Sequence, residues 1–459
     1  MSVIAEMVKN VVETPFEAFD ATIVERARDR VIDALGCLIA GSRASGCSMI
    51  GDLIREWGGK KESTILVQGG KVPAHNAALV NSVMTRSYDF EPTGAYVEGK
   101  STPAHLSGTT VPTAITVAEQ HSADGKELLT ALILGDDLAS RIIAASNLNI
   151  DSGFDCTGTI NAFGAAAIAG RIARLKEYEM LHAFGIVLNQ FAGSFQNIFD
   201  GVHSFKLPQG LSAQAGIFST ALAAKGFTGI RDPLLSKYGY FSLYCKSYQL
   251  EVLTRRLGEE FYADYTCKPY PCCRSNHAAI DCVLELNKTN HIDPDDIDEI
   301  VVDITPTAHD FAVGQPFKIR DVPQIDAAFN LQYTVANALL RKDVKLEHFA
   351  EELVRDPSIA DLINKIRLTA TIPSSKPLGA KVIIRMKQGI ELIREVDMPR
   401  GNGILTPLAS AEIRKKFLDN VAFSGTISLE NGEKVLSLLE RLEEVNDVNE
   451  IISLLVPRQ

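Results

Sequence analysis

No run of apolar residues in the 459-residue chain approaches the roughly 20 that a helix needs to cross a bilayer. The longest candidate, "INAFGAAAIAGRIARL", is short, rich in alanine and broken by arginines. Basic excess is missing too. The formal net charge is −11, which disfavours nucleic acid, because phosphate binding needs a basic face. That sign does not exclude an anionic small molecule, since a local cluster of Lys and Arg can oppose it. The opening "MSVIAEMVKNVVETPF" lacks the basic start, apolar core and small-residue cleavage site of a secretory signal. Eight cysteines are too sparse for a disulfide scaffold at this length. The expectation is a cytoplasmic protein with reduced thiols, and with neither membrane nor nucleic acid as partner.

What is present is an ordinary globular balance, 46% hydrophobic and 22% charged, with enough chain for two or three domains. The first 260 residues or so read as helix after helix. "TIVERARDRVIDALGCLIAG" puts Ile23, Ala27, Val31, Ile32, Leu35, Leu38 and Ile39 on one stripe. Asp124, three residues before Glu127, opens a second helix with a capping-box-like start. "SAQAGIFSTALAAKG" stops at Gly226, and so much alanine and glycine predicts closely approaching backbones.

The texture then changes. "DIDEIVVDITP", "KIRLTATIP", "AKVIIRMKQ" and "IELIREVDM" read as short strands, with a Gln-Gly hairpin turn in "MKQGIEL". "DAAFNLQYTVANALLR" is helical among them. The fold class is therefore mostly α: a large helical domain (1–266), a smaller α+β domain (267–402), and C-terminal helices (403–459) that return to the first domain.

Four segments carry chemistry. "CKPYPCCRSNHAAIDCVLEL" contains Cys267, Cys272, Cys273 and His277 in a C-x4-C-C-x3-H pattern. Structural zinc favours cysteines two to four residues apart with a second ligand pair, so no metal is expected. A carboxylate-binding reading uses more of the segment. Pro269 and Pro271 hold it extended with Lys268 and Tyr270 on one side. Ser275 or Asn276 can cap the next helix, whose N-terminus with Lys268 and Arg274 attracts a carboxylate. His277 in its first turn can move a proton near neutral pH, although by composition alone the plainer reading, a core histidine with two surface cations, is favoured. "RSYDFEPTGAYVEGKSTPAHLSGTTVP" supplies Asp89 and His105 on a glycine-rich loop before a helix. "GFDCTGTINAFGAAAIAG" supplies Thr157 and Thr159 in a tight turn, and "DGVHSFKLPQGLSAQAG" supplies Lys206, each again before a helix. Alone, each has a plain capping or surface reading. Together they converge on one kind of site.

In this order the motifs, with "DAAFNLQYTVANALL" and "PRGNGILTPLASAEIRKKF", make the chain similar to the MmgE/PrpD family nearly end to end. That family includes 2-methylcitrate dehydratase, cis-aconitate decarboxylase and iminodisuccinate epimerase. The resemblance implies a helical domain plus a smaller α+β lid, a homodimer, and no metal or organic cofactor. It places the catalytic positions at Asp89, His105, Lys206, Lys268, His277 and Tyr333, with Arg274, Thr157, Thr159 and Cys273 facing the substrate. The implied activity is a cofactor-independent lyase, of dehydratase type, on a small di- or tricarboxylate. An epimerase or decarboxylase on a similar acid, or a carboxylate-binding protein without catalysis, are the alternatives. Two departures stand out. "GFDCT" replaces the usual "GFHPT", so Asp155 takes a histidine's place, and "DFEP" replaces "DFDD".

Overall fold

In the computed structural model, which describes residues 2–148 and 153–456, the chain is mostly helical. The predicted amphipathic stripe becomes the helix Ala21–Gly41, capped by Asp20, whose side chain accepts from the Ile23 amide. Of the stripe residues, only Ile23 stays partly exposed. Gly125–Ala145 begins at Asp124, which accepts from the Glu127 amide as its spacing predicted. Around these lie Ala74–Arg86, Ser107–His121, Ile160–Ile172 and Leu207–Ala223, forming one large apolar core. Phe417 and Val421, from the helix Ser410–Ser424, lie in that same core, as do Val435 and Leu439 from Leu429–Leu439.

Small residues set the helix spacing. At Gly41 an added Cβ would stand 1.8 Å from the Met84 carbonyl oxygen, so Ala21–Gly41 and Ala74–Arg86 touch backbone to backbone there. Gly41→Ala is expected to cost about 1–3 kcal/mol by forcing these helices apart. It should also loosen Arg86, two residues along. Thermal unfolding checks the first effect, and an unchanged melting temperature would contradict it.

A second apolar cluster gathers Ile280, Val283, Ile300, Val302, Tyr333, Val382 and Ile384. Here His277–Thr289 and Leu331–Arg341 accompany a four-stranded sheet ordered Glu391–Val396, Ala380–Met386, Ile297–Asp303, Ile366–Thr369. The last pair is parallel and the others antiparallel. The hairpin turns at Gly389, with φ of +84°, as the Gln-Gly signal predicted. Val382, Ile384 and Met386 are buried, while Ile383 and Arg385 are only half-buried on the opposite face, the alternation of a sheet with one wet side.

One expectation needs correcting. The stretch between Asp89 and His105 is not an irregular loop. Thr93–Val97 and Lys100–Ser101 form a hairpin, and Thr93–Val97 also pairs with Asp264–Thr266. Glycines at 94 and 99, both at positive φ, hid the strand pattern. Among the described residues no helix is long and apolar enough to cross a membrane.

Candidate active site

Arg86 ends its helix buried, and its guanidinium gathers the side chains of the adjoining turn. The Nη1 atom donates to Asp89 Oδ1 and to Glu91 Oε1 (2.9 Å), and lies 3.4 Å from His105 Nδ1. Asp89 adopts a left-handed conformation (φ of +49°), uncommon away from glycine and tolerated best by Asp and Asn. That turn brings its carboxylate back to Arg86. Lys268 fixes the other side, donating to the Asp89 backbone carbonyl (2.7 Å) and standing 3.0 Å from Asp89 Oδ2. Asp89, Glu91 and His105 offer ligand atoms within 4.8 Å of one another, a grouping that could hold a metal ion. Here their atoms converge on a guanidinium, so positive charge already fills the space between them.

His105 precedes the helix Ser107–His121. That helix start is tied down from a distance: Asp264 Oδ2 accepts from the Leu106 amide (2.8 Å), the Ser107 amide (2.7 Å) and the Ser107 hydroxyl (2.9 Å). Burial pushes the Asp264 carboxyl up to about 7. Asn161 and Gln209 both donate to the His105 carbonyl, and Gln209 also donates to Glu91 Oε1 (3.2 Å). His105 Nδ1 stands 3.3 Å from Glu91 Oε1. Its side chain is 23% exposed, whereas Arg86, Asp89, Glu91 and Lys268 are buried. Burial lowers the imidazole's proton affinity, Arg86 lowers it further, and Glu91 only partly offsets this. These influences together favour the neutral imidazole over the charged form. Burial raises the Glu91 carboxyl, but Arg86, His105 and Lys268 outweigh it and hold the group well below the usual carboxylate range.

The remaining predicted residues divide. Lys206, at the start of Leu207–Ala223, is buried and donates to the Ser45 carbonyl (2.7 Å), which takes one of its three donors, the other two having no hydrogen bond among the described residues. Burial lowers its pKa. Thr157 lies in the short 3-10 turn Cys156–Gly158, its own amide held by Asp155 (2.9 Å), and its buried Oγ1 has no partner among the described residues. Gln209 Oε1 and Glu91 Oε2 are likewise buried and unpartnered. Cys156, in the same turn, donates to the Pro103 carbonyl and ties the turn to the His105 segment. Thr159 turns its hydroxyl back to the Cys156 carbonyl (3.2 Å). Cys273 is anchored by its amide to the Ala328 carbonyl, and its thiol feels Asp89 and Lys268, though burial dominates and raises it.

Three expectations in the 267–286 segment need correction. Neither Ser275 nor Asn276 caps His277–Thr289 through its side chain, because Arg274–Asn276 winds into a 3-10 turn and Asn276 donates to the Ala328 carbonyl instead. Tyr270 points away from Asp89, its hydroxyl donating to Asp281 Oδ1 (2.7 Å). Arg274 spends its terminal nitrogens on the Pro399 and Arg400 carbonyls and on His277 Nδ1 (3.0 Å), leaving only the buried Nε unpartnered. His277 accepts there and donates through Nε2 to the Cys272 carbonyl (3.2 Å), so both its ring nitrogens are occupied. Burial, then Arg274 and Lys268, push it well below the ordinary histidine value.

Tyr333 is not brought to this cluster. Its hydroxyl donates to the His348 backbone carbonyl, and its ring packs against Phe317 and Phe349 in the second core. Tyr333→Phe is expected to cost about 0.5–1.5 kcal/mol of stability, one net hydrogen bond, with turnover unchanged. A large loss of kcat at intact stability would return Tyr333 to the chemistry.

Sequence reasoning missed Arg86, Gln209 and Asn161, and treated Glu91 only as a departure. The spacing of Arg86, Asp89 and Glu91 at a helix end was the available signal.

A carboxylate-backed histidine with the buried Lys268 nearby is the arrangement of an acid–base site for an anionic compound. The family model of the MmgE/PrpD N-terminal domain matches residues 5–253, and that of the MmgE/PrpD C-terminal domain matches residues 270–440. The chain belongs to the MmgE/PrpD family. It is 22% identical to a cis-aconitate decarboxylase-like protein, oryM, of Aspergillus oryzae (strain ATCC 42149 / RIB 40), across 99% of this chain and 97% of that protein.

Proposed function

We propose that the protein is a lyase of dehydratase type that removes a proton next to a carboxylate of a small di- or tricarboxylic acid. The observation that carries this reading is the Glu91–His105 pair, with His105 Nδ1 3.3 Å from the carboxylate and Nε2 bonded to nothing among the described residues. Arg86 Nη1 directs its hydrogens to Asp89 and Glu91, and a carboxylate only accepts, so in this reading Nδ1 carries the proton and donates it to Glu91, leaving the Nε2 lone pair as the base. The carbon-bound proton goes to Nε2. The electron pair left behind spreads into the adjacent carboxylate, where Lys206 and Lys268 stabilise the growing charge in a site largely closed to water. The pair then forms a carbon–carbon double bond as the β-hydroxyl departs, taking from Nε2 the proton it needs to leave as water and restoring the neutral imidazole.

Thr157 Oγ1 and the unspent Lys206 donors suit a second carboxylate. His277 holds Arg274 and the Cys272 carbonyl in place, since its nitrogens are occupied. The reading includes no metal or organic cofactor, a homodimer in the cytoplasm, and the 267–402 unit acting as a lid over the first core. The relative's name favours a second reading, decarboxylation of a similar acid. There the electron pair comes from the broken C–CO2 bond, and carbon is reprotonated.

Proton NMR in D2O with citrate, 2-methylcitrate, cis-aconitate and itaconate, each mixed separately with the protein, tests this. Vinyl signals growing from a hydroxy acid are the expected result. Deuterium entering an unchanged skeleton identifies an epimerase, and a lost carboxylate a decarboxylase. Saturable binding with no exchange in any acid would overturn the enzymatic reading in favour of a carboxylate-binding protein.

A further inference from the structure

Beyond the cluster around Arg86, a second buried lysine reaches the same turn from the far end of the chain. Lys416, on Ser410–Ser424, donates from Nζ to the Phe90 backbone carbonyl (2.8 Å) and sits 3.6 Å from the centroid of the Phe90 ring. Its counter-charge is Asp33 of Ala21–Gly41, with Nζ 2.5 Å from Oδ1. Both side chains are almost wholly buried. Burial alone would lower the lysine's proton affinity, but Asp33 outweighs it, so the ammonium is retained.

Phe90 lies between Asp89 and Glu91. Lys268 takes the carbonyl of residue 89 and Lys416 the carbonyl of residue 90, two consecutive peptides gripped by two ammonium groups. Neither peptide is part of a helix or strand, and Asp89 is in the left-handed region. No regular ladder therefore fixes where Glu91 points. The side chains that settle it are Arg86, Gln209 and these lysines.

We infer that Lys416 is a positioning residue: by holding the Phe90 carbonyl it sets the Asp89–Glu91 turn and thereby aims Glu91 at His105 Nδ1. It acts through Glu91 and need not touch the substrate. Buried, its charge balances Asp33, so a pure packing role would be met by any isosteric neutral pair. A positioning role would not, because the donor to Phe90 is then lost.

That difference gives the test. The inference rests on the proposed Glu91–His105 pair, so one arm needs no substrate. Protein labelled with 15N and 13C in histidine, with His105 assigned from His105→Asn, reports the tautomer and titration of that ring. The wild type is expected to show a single Nδ1–H tautomer. Asp33→Asn/Lys416→Met removes both charges, keeps the core filled, and should give mixed tautomers with a displaced titration midpoint. Lys416→Arg retains a donor and should restore the wild-type signature. In the second arm, on whichever acid of the panel is turned over, the double variant should lose kcat by about 10²-fold, the scale of a misplaced catalytic group, with KM little changed. An unchanged His105 tautomer and midpoint in a folded double variant would overturn the inference, whether or not any acid reacts. If the double variant does not fold, Lys416→Arg decides by itself: a wild-type signature is expected, and a mixed one with native stability overturns it.

Discussion

Replacing Arg86 with methionine should destabilise the protein by about 3–5 kcal/mol, the cost of stripping one partner from a buried ion pair. The groups left behind set that scale. Asp89 and Glu91 would stay buried with their nearest shared cation gone, and Lys268 alone cannot face both. Buried carboxylates without partners respond by binding protons. The sign of the pH dependence is therefore fixed. In the wild type the Glu91 carboxyl is held below its unfolded value. Its contribution is fully present above roughly pH 4.3, the ordinary glutamate pKa, and is lost as pH falls below that. The variant lacks that depression, so its deficit should be largest at neutral pH and shrink towards pH 4. Urea unfolding at pH 7.5 and pH 4.5 measures both numbers. Equal midpoints for the two proteins at pH 7.5 would show that Arg86 does not carry the cluster.

Replacing His105 with asparagine should leave the fold intact and lower kcat by roughly 10²–10⁴-fold, the usual worth of a positioned general base. Asparagine can keep a donor towards Glu91 but has no lone pair of suitable basicity where Nε2 stood. Because burial and Arg86 hold the imidazole below 6.5, the wild-type acid limb of kcat/KM should lie below pH 6.5. Activity should fall as pH drops through it. The matching experiment on His277 separates the two histidines. Both His277 nitrogens are engaged, so His277→Asn should act mainly on stability and on Arg274. If His105→Asn keeps full activity while His277→Asn abolishes it, the roles of the two histidines are reversed. Stability runs the same way with pH: a histidine buried neutral contributes fully above 6.5 and loses that contribution as pH falls below it.

The legible and illegible parts of this chain differ in range. Amphipathic stripes, the Asp124 cap and the Gln-Gly hairpin are set by residues a few positions apart, and all appear where their spacing put them. His105, Lys206, Lys268 and Asp89 could be picked out because each precedes or follows a recognisable helix start. Their mutual geometry could not, since it depends on a left-handed residue at 89 and a β pairing between Thr93–Val97 and Asp264–Thr266. Tyr333 was drawn towards the site by family likeness, while its local environment is an aromatic stack. Arg274 looked like a free cation because nothing in its neighbourhood forecasts that carbonyls 399 and 400 arrive beside it. Asp33 and Lys416 read as an ordinary helix aspartate and one lysine of "RKKF", and only the tertiary fold joins them.

The bond from Lys416 to Phe90 spans 326 residues, and that span has a temporal meaning. Synthesis at roughly 5–20 residues per second separates the two by on the order of tens of seconds. During that interval the nascent helices can already collapse, while the 89–91 turn lacks Lys416 throughout and Lys268 for its first half. Closing so long a loop is slow but adds little entropy beyond a shorter one. Such a chain is expected to acquire its helices early and its proton-transfer geometry last. An arrested nascent chain ending before residue 416 should be folded in its first helices and silent in turnover.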